Sequence, residues 1–248
     1  MDLIVGTVVL RPYVFGFLAA FLVAGALDLG IRRTLLFAAW VGPLAWLAEF
    51  SSTRTGVPFG LYHYTGTTRG QELFIADVPF MDCLSFTFLA YASFCLARAT
   101  LAGRRIPIPL LALVSGVLMM LLDVVIDPAA VRGDRWFLGR IFFYSDGGVY
   151  FGVPLSNFAG WVVVGTLGVW GYVILARVGG GSAATGALPW PGIALYYAVF
   201  AFNLGVTAWI GEWKLLMVGA TVHLATALVL WSVSQRPAAG LGLEKQQA

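Results

Sequence analysis

The chain has 248 residues, of which 60% are hydrophobic and only 11% are charged, whereas a soluble domain carries roughly 25% charged residues. A water-soluble fold of this length has too little interior to bury so much apolar surface, which excludes that class. The formal net charge of +3 is small, and the charged residues lie near helix ends. Both features favour lipid headgroups over nucleic acid as the partner of these charges. The composition therefore predicts an all-α integral membrane protein.

Seven stretches are long and apolar enough to cross a bilayer, which takes about 20 residues. They cover roughly residues 11–30, 34–50, 78–98, 107–127, 153–176, 190–211 and 214–233. We therefore expect a bundle of about seven transmembrane helices, forming a single polytopic domain over residues 1–235. The polar segment 236–248 is expected to be a disordered tail.

Two connections, residues 51–77 and 128–152, are longer than the others and rich in Gly, Pro, Tyr, Arg and acids. With seven spans, both lie on one membrane side, and ten of the twelve acidic residues fall on that side or within about two turns of it. Because a charge inside hydrocarbon costs roughly 2.5 kcal/mol or more, this clustering predicts a polar pocket; an anionic rim at the helix ends is the alternative. Eight basic residues fall on the opposite side and seven on this one, which slightly favours the opposite side as the cytoplasmic side. We expect a multi-pass protein of the cytoplasmic membrane.

The first segment with special chemistry runs from Glu49 to Tyr64, EFSSTRTGVPFGLYHY. Its glycines and proline are turn residues, and such a loop enters a bilayer only where protein buries it. That would place Tyr62, His63 and Tyr64 against a neighbouring helix or a ligand. An aromatic belt at the level of the headgroups is the alternative interpretation.

The second segment contains Asp123 and Asp127, four residues apart on one helical face, with Pro128 directly after them. Two close carboxyl groups disfavour double ionisation, which would give a general acid beside a carboxylate that serves as a base. The pair could also hold a divalent cation. Alternatively it is a helix-end pair neutralised by Arg132 or Arg135.

The third segment, YFGVPLSNFAGW over residues 150–161, places Asn157 and Trp161 on one helical face. A capped helix with a Trp at the membrane interface is the alternative. Asp82, near the start of the third span, and His223, within the seventh, complete the candidates, since an intramembrane ionisable residue is a functional candidate by default. The chain has no zinc-type Cys/His spacing, Walker loop, Rossmann fingerprint or GxSxG elbow, and no metal site is predicted.

These three segments resemble the carotenoid biosynthesis protein family, in particular its CruF-type carotenoid 1,2-hydratases. The resemblance lies in TGVPFGLYHYTG (55–66), in LDVVIDP (122–128) with Trp136 after it, and in YFGVPLSNFAGW (150–161). It implies cofactor-independent hydration of the terminal 1,2 double bond of an acyclic ψ end group, giving a tertiary 1-hydroxy carotenoid. The implied partners are water, the lipid bilayer, other carotenoid enzymes and a carotenoid such as lycopene, γ-carotene or a bacterioruberin-type precursor.

That reaction gives the candidate residues distinct roles. Protonation of the alkene produces a tertiary cation, which requires a neutral carboxylic acid in a dry site and aromatic faces beside it. The hypothesis takes Asp123 or Asp127 as proton donor, with Glu49 as an alternative donor or a water-positioning base. Asn157 and His63 would orient water. The expected substrate-binding residues are Phe59, Tyr62, Tyr64, Asp82, Phe151, Trp161 and His223.

Two other function classes stay open. The aspartate pair faintly resembles the diphosphate–metal sites of membrane prenyl-chain transferases, although a second Asp-rich motif is not found; an end-group cyclase is a variant of this class. A small transporter or proton-conducting bundle is the third possibility, because intramembrane acids with Asn203 and His223 could form a proton path. Against it, no inverted repeat is apparent and the polar groups gather at one membrane end.

Overall fold

The computed structural model describes residues 2–176 and 188–235. Within those ranges the chain forms eight α-helices: α1 Leu3–Leu10, α2 Pro12–Asp28, α3 Ile31–Thr55, α4 Phe80–Thr100, α5 Ile108–Ala130, α6 Leu155–Leu175, α7 Trp190–Trp209 and α8 Trp213–Gln235. Four short strands accompany them: β1 Tyr62–Tyr64, β2 Phe74–Ile75, β3 Val78–Pro79 and β4 Phe142–Tyr144. The predicted tail 236–248 lies outside the described residues.

Six helices, α3 to α8, are long and apolar enough to cross a membrane. The bent pair of α1 and α2 makes a seventh span when it is counted as one, which confirms the prediction of about seven. Its two helices meet at an angle of 89°. Pro12 stands at the first position of α2 and lacks the N–H that would continue α1, so the chain turns at Arg11. The sequence pattern alone predicted neither α1 nor this bend.

Two helices run further into the motif loops than predicted. α3 continues to Thr55 and ends at Gly56, whose left-handed backbone (φ 79°) is a common helix terminator. α5 continues to Ala130, with Pro128 in its last turn. The extension of α3 beyond residue 50 places Glu49 within the helix instead of at its end.

α4 is the central helix, buried along most of its length and packed against α2, α3, α5 and α7. α5 and α6 approach each other most closely, because Gly116 faces Gly165 at their crossing. A Cβ added to Gly116 would lie 2.4 Å from Thr166 Oγ1. Small residues at such crossings let membrane helices pack tightly, and here they fix α5 and α6 relative to each other.

The two motif loops are joined to each other by a two-stranded antiparallel ribbon. Strand β1 pairs with β4, with Tyr62 opposite Tyr144 and Tyr64 opposite Phe142. Because side chains alternate along a strand, Tyr62 and Tyr64 face one way and His63 faces the other. The ribbon thereby presents phenol groups from both loops toward the ends of α3 and α5.

Candidate functional site

A cavity of about 130 Å³ lies between the ribbon and helices α2 to α7. Carboxyl, phenol and amide groups line one part of it, and phenyl, indole and aliphatic groups line the rest. Phe88, a member of the apolar wall, follows Asp82 by six residues on α4 and therefore lies about 9 Å further along the helix. The apolar part of the cavity thus extends from the polar end toward the middle of the membrane.

Glu49 is buried beneath the ribbon and accepts hydrogen bonds from two phenols. The hydroxyl groups of Tyr62 and Tyr64 both donate to Glu49 Oε2, the latter at 2.7 Å. No basic side chain within the described residues forms an ion pair with Glu49. The Oε1 atom is therefore the oxygen of this carboxyl group that is available to another ligand.

The two aspartates of α5 occupy different positions at the site. Asp127 lines the cavity and accepts a hydrogen bond from the Tyr144 hydroxyl at 3.2 Å. Asp123, one turn earlier and 0% exposed, is not part of the lining; Asn157 Nδ2 donates to its Oδ2 at 2.6 Å. Asn157 itself does line the cavity. Asp123 therefore acts on the cavity only through Asn157 and Asp127.

The aspartate pair is not neutralised by the nearby arginines, which was the alternative interpretation. Arg132 and Arg135 both form ion pairs with Glu212, which directly precedes α8. The pair is thus not an arginine-bound helix end. Within residues 2–176 and 188–235, no group of three or more His, Cys, Asp or Glu side chains is arranged to hold a metal ion.

Asp82 differs from the other cavity carboxyl groups because it has a basic partner. Arg11 Nη1 donates to Asp82 Oδ1 at 2.6 Å, and Arg11 Nη2 donates to Glu72 Oε1 at 2.8 Å. Arg11 was not predicted as a site residue. Its one visible signal is its position directly before Pro12, where a helix break leaves a basic residue at the end of an apolar segment.

The ribbon tyrosines are held in their neutral form. Burial, followed by the charge of Glu49, raises the pKa of Tyr62 and the pKa of Tyr64 well above the ordinary value. Burial and then Asp127 raise the pKa of Tyr144. All three phenols therefore stay protonated at neutral pH and act as hydrogen-bond donors to the carboxyl groups.

Aromatic rings form the wall beside these polar groups. Trp161 stacks on Phe86 with ring centroids 4.4 Å apart, and Phe59 lies 6.1 Å from Trp161. Gly160 permits this arrangement, because a Cβ there would lie 2.6 Å from the ring of Phe59 and 2.7 Å from the carbonyl oxygen of Pro58. The first and third motif segments are therefore packed directly against each other, as candidates for one site.

Besides Asp123, three predicted site residues do not line the cavity. His63 is exposed on the outer face of β1, with its ring 5.8 Å from that of Phe143. Phe151 has a positive φ of 48°, and its ring lies against Tyr150 and below the guanidinium of Arg132.

His223 is the third of these residues. Its ring stacks on Phe200, and its Nε2 lies 2.8 Å from the carbonyl oxygen of Leu121. The expected roles of His63 in orienting water and of Phe151 and His223 in binding substrate do not fit these positions. Strand alternation turns His63 outward, and a turn holds Phe151 outside the cavity. His223 is buried, but it packs against α5 and α7 instead of lining the cavity.

The structure brings the remaining candidates together and adds others. Glu49, Phe59, Tyr62, Tyr64, Asp82, Asp127, Asn157 and Trp161 all line the cavity. Lining residues that were not predicted as site residues include Arg11, Phe86, Trp136 and Tyr144. Phe86 and Tyr144 carried no motif signal, since each enters through tertiary packing and strand pairing.

The sequence model of the carotenoid biosynthesis proteins matches residues 3–226. The chain belongs to the carotenoid biosynthesis protein family. The matched range contains every residue that lines the cavity of this family member, from Arg11 to Asn203. Together with its apolar helices, this identifies a multi-pass membrane protein of carotenoid biosynthesis.

A relative in this family is the bisanhydrobacterioruberin hydratase of Haloarcula japonica, which is 32% identical over 148 residues. The match covers 60% of this chain and 47% of the relative, so the chain spans about half the length of that protein. No solved structure matches the chain.

Proposed function

We propose that this protein hydrates the terminal 1,2 double bond of an acyclic ψ end group of a carotenoid, giving a tertiary 1-hydroxy product. Family membership and the name of the hydratase relative support the reaction class. The observation that carries the proposal is the cavity itself, in which Glu49 is buried and Asp127 is half-buried beside an aromatic and aliphatic wall. Neither carboxyl group forms an ion pair with a basic side chain of the described residues.

The proton donor in this proposal is Asp127. A carboxyl group removed from water without a neighbouring cation is favoured in its neutral form, because an unpaired buried charge is costly. Asp127 lines the cavity, whereas Asp123 lies behind Asn157. Asp127 would transfer its proton to the alkene carbon that becomes a CH₂ group, and the π electrons form the new C–H bond.

The resulting tertiary cation must be stabilised by groups that do not form a covalent bond with it. The rings of Trp161, Phe86 and Phe59 line the cavity next to the carboxyl groups. The negative face of an aromatic ring attracts a cation. These rings would contact the end group, and the aliphatic and phenyl wall along α4 and α7 would hold the polyene behind it.

Water then adds to the cationic carbon. Glu49 Oε1 and the side chain of Asn157 would hold the water molecule, since both groups line the cavity. As the C–O bond forms, the water loses one proton to the carboxylate left on Asp127. The net reaction adds one water molecule across the double bond and returns Asp127 to its neutral form, so no redox partner is consumed.

Expression in a lycopene-accumulating bacterium tests the proposal directly. Mass analysis of the pigments should show a gain of one water molecule per reacted end. Cells expressing Asp127→Asn serve as the matched control and should retain the starting carotenoid. Ring formation without a change of mass would favour an end-group cyclase, and chain lengthening with release of diphosphate would favour a prenyl-chain transferase; either outcome would overturn the hydratase proposal.

A further inference from the structure

A buried charged cluster adjoins the proposed proton donor and lies outside the three motif segments. Arg11 is 1% exposed and binds both Asp82 and Glu72, at 2.6 Å and 2.8 Å. Glu72 is also 1% exposed. The cluster combines one guanidinium group and two carboxyl groups in a place largely closed to solvent.

The cluster reaches the cavity through Asp82 and Arg11. Asp82 and Arg11 line the cavity, whereas Glu72 lies behind them. The side chain of Asp82 is 20% exposed and that of Glu72 is 0% exposed. Of the two carboxylates that share Arg11, Asp82 is therefore the one that a bound substrate could meet.

The fold delivers Arg11 to this position by the bend between α1 and α2. Pro12 ends α1, and the 89° turn places Arg11 under the loop that carries Glu72. The Thr7 hydroxyl accepts a hydrogen bond from the backbone N–H of Leu73 at 2.9 Å, which ties α1 to the same loop. The cluster is thus a fixed part of the cavity wall.

A guanidinium group does not lose its proton in proteins, and a buried charge persists where it is paired and hydrogen-bonded. Asp82 is paired in this way, while Glu49 and Asp127 form no ion pair with a basic side chain among the described residues. The site therefore contains two kinds of carboxyl group, one bound to a cation and the others bound to neutral donors.

We propose that Arg11 is a positioning residue that holds Asp82 as a permanent carboxylate, and that this carboxylate stabilises the tertiary cation formed from the carotenoid end group. The inference rests on the proposed hydration. A fixed charge aimed at the site where charge develops, in a place that excludes water, lowers the barrier without reorganising during the reaction. Asp127 would then supply the proton and Asp82 the compensating charge.

The first test is a series of charge removals at increasing distance from the cavity. Asp82→Asn should lower the hydration rate about 100-fold, the size expected for one preorganised electrostatic group. Glu72→Gln should have a smaller effect, because Glu72 lies behind Arg11. Asp77→Asn, which affects a surface carboxylate bound to Arg54 and Arg69, is the control and should leave the rate unchanged. Equal rates for Asp82→Asn and the wild type would overturn the proposal.

A double-mutant cycle then separates positioning from general structural support. Arg11→Gln should lower the rate about as much as Asp82→Asn, and Arg11→Lys should restore most of it. In the Asp82→Asn background, Arg11→Gln should cost less than about threefold, since residues that act through one another are not additive. Losses that multiply would show that Arg11 does not act through Asp82.

Binding of a cation mimic keeps the proposal testable if an arginine variant fails to fold. The probe is an N,N-dimethylamine on a farnesyl chain, compared with its neutral analogue in which carbon replaces nitrogen. The wild type should bind the ammonium form about tenfold more tightly, as expected for a close charge pair, and Asp82→Asn should lose that preference. No preference in the wild type would overturn the role of Asp82. Absence of hydrated product in the wild type would instead overturn the proposed function.

Discussion

Four acidic side chains lie near the same end of the helix bundle, and each has different hydrogen-bond partners. Asp82 binds a guanidinium group, Glu49 binds two phenols, Asp127 binds one phenol and Asp123 binds an amide. The sequence predicted that Asp123 and Asp127 share a helix face. It could not predict which of them reaches the cavity, because that depends on how α5 is rotated against α6. Arg11 was not predicted, because its contacts are with residues distant in the chain.

Asp127→Asn should abolish the activity. Removing a general acid typically lowers a rate by about 100-fold to 10,000-fold, and the amide retains the size of the side chain. Asp123→Asn should cost less, because Asp123 is separated from the cavity by Asn157. Initial rates of the purified variants check this order. The exposed Asp134→Asn is the control, and a Asp127→Asn variant as fast as the wild type would exclude Asp127 as the donor.

The raised pKa values of Tyr62 and Tyr64 predict a loss of stability at high pH. A group whose pKa is raised by folding contributes stability that is complete below its unfolded pKa, here about 10, and that is lost as the pH rises toward its folded pKa. Each tyrosine should lower the free energy of unfolding by up to about 1.4 kcal/mol per pH unit in that window.

Thermal unfolding in detergent between about pH 9 and pH 11 measures this slope. The double variant Tyr62→Phe/Tyr64→Phe should show a shallower decline than the wild type, because two of the titrating groups are gone. Identical slopes would mean that these phenols ionise as easily in the folded protein as in the unfolded chain.

At the scale of the elements, hydropathy located the spans well but not their ends or bends. Every predicted span overlaps a helix, since runs of about 20 apolar residues are a strong signal. The bend at Arg11 and the extension of α3 to Thr55 depend on local Pro and Gly geometry. The pairing of β1 with β4 was not predicted, because it joins short segments from two distant loops. That ribbon is what turns Tyr62 and Tyr64 inward and His63 outward.

Gly160→Ala should weaken the contact between α6 and the first motif loop. The new Cβ would meet Phe59 and the backbone of Pro58 at 2.6 Å and 2.7 Å, and overpacking of this kind costs about 1–3 kcal/mol. We expect a lower melting temperature and a lower hydration rate together. Gly16→Ala is the control, because nothing lies within 4 Å of its added Cβ. Equal melting temperatures for the two variants would contradict this account of the packing.

At the scale of the whole molecule, the position of the cavity suits its two proposed reactants, because water comes from the aqueous side and a carotenoid from the bilayer. The carboxyl groups lie at the ends of α3 and α5 under loops that face one side of the membrane, where water is close. The apolar wall of the same cavity includes Phe17 of α2 and Phe202 of α7, which contact each other with ring centroids 5.6 Å apart and are only partly buried. A carotenoid dissolved in the bilayer would meet that wall first.

The composition was sufficient to predict a membrane bundle, and the acids on one side were sufficient to predict a pocket at that level. Which aromatic rings form its wall was only partly predictable, because Phe86 and Tyr144 join the site through packing between distant segments. The position of the polar groups at one end, next to a wall that continues into the membrane, favours an enzyme acting on a lipid-soluble chain over a conducting bundle.

The most direct measurement is the source of the new hydroxyl oxygen. Purified protein is supplied with an acyclic carotenoid in water labelled with heavy oxygen, and the product is analysed by mass spectrometry beside an Asp127→Asn control. The wild type should give one labelled hydroxyl per reacted end, and the variant should give none. An unlabelled hydroxyl, or equal labelled product from both proteins, would contradict acid-catalysed addition of water in this cavity.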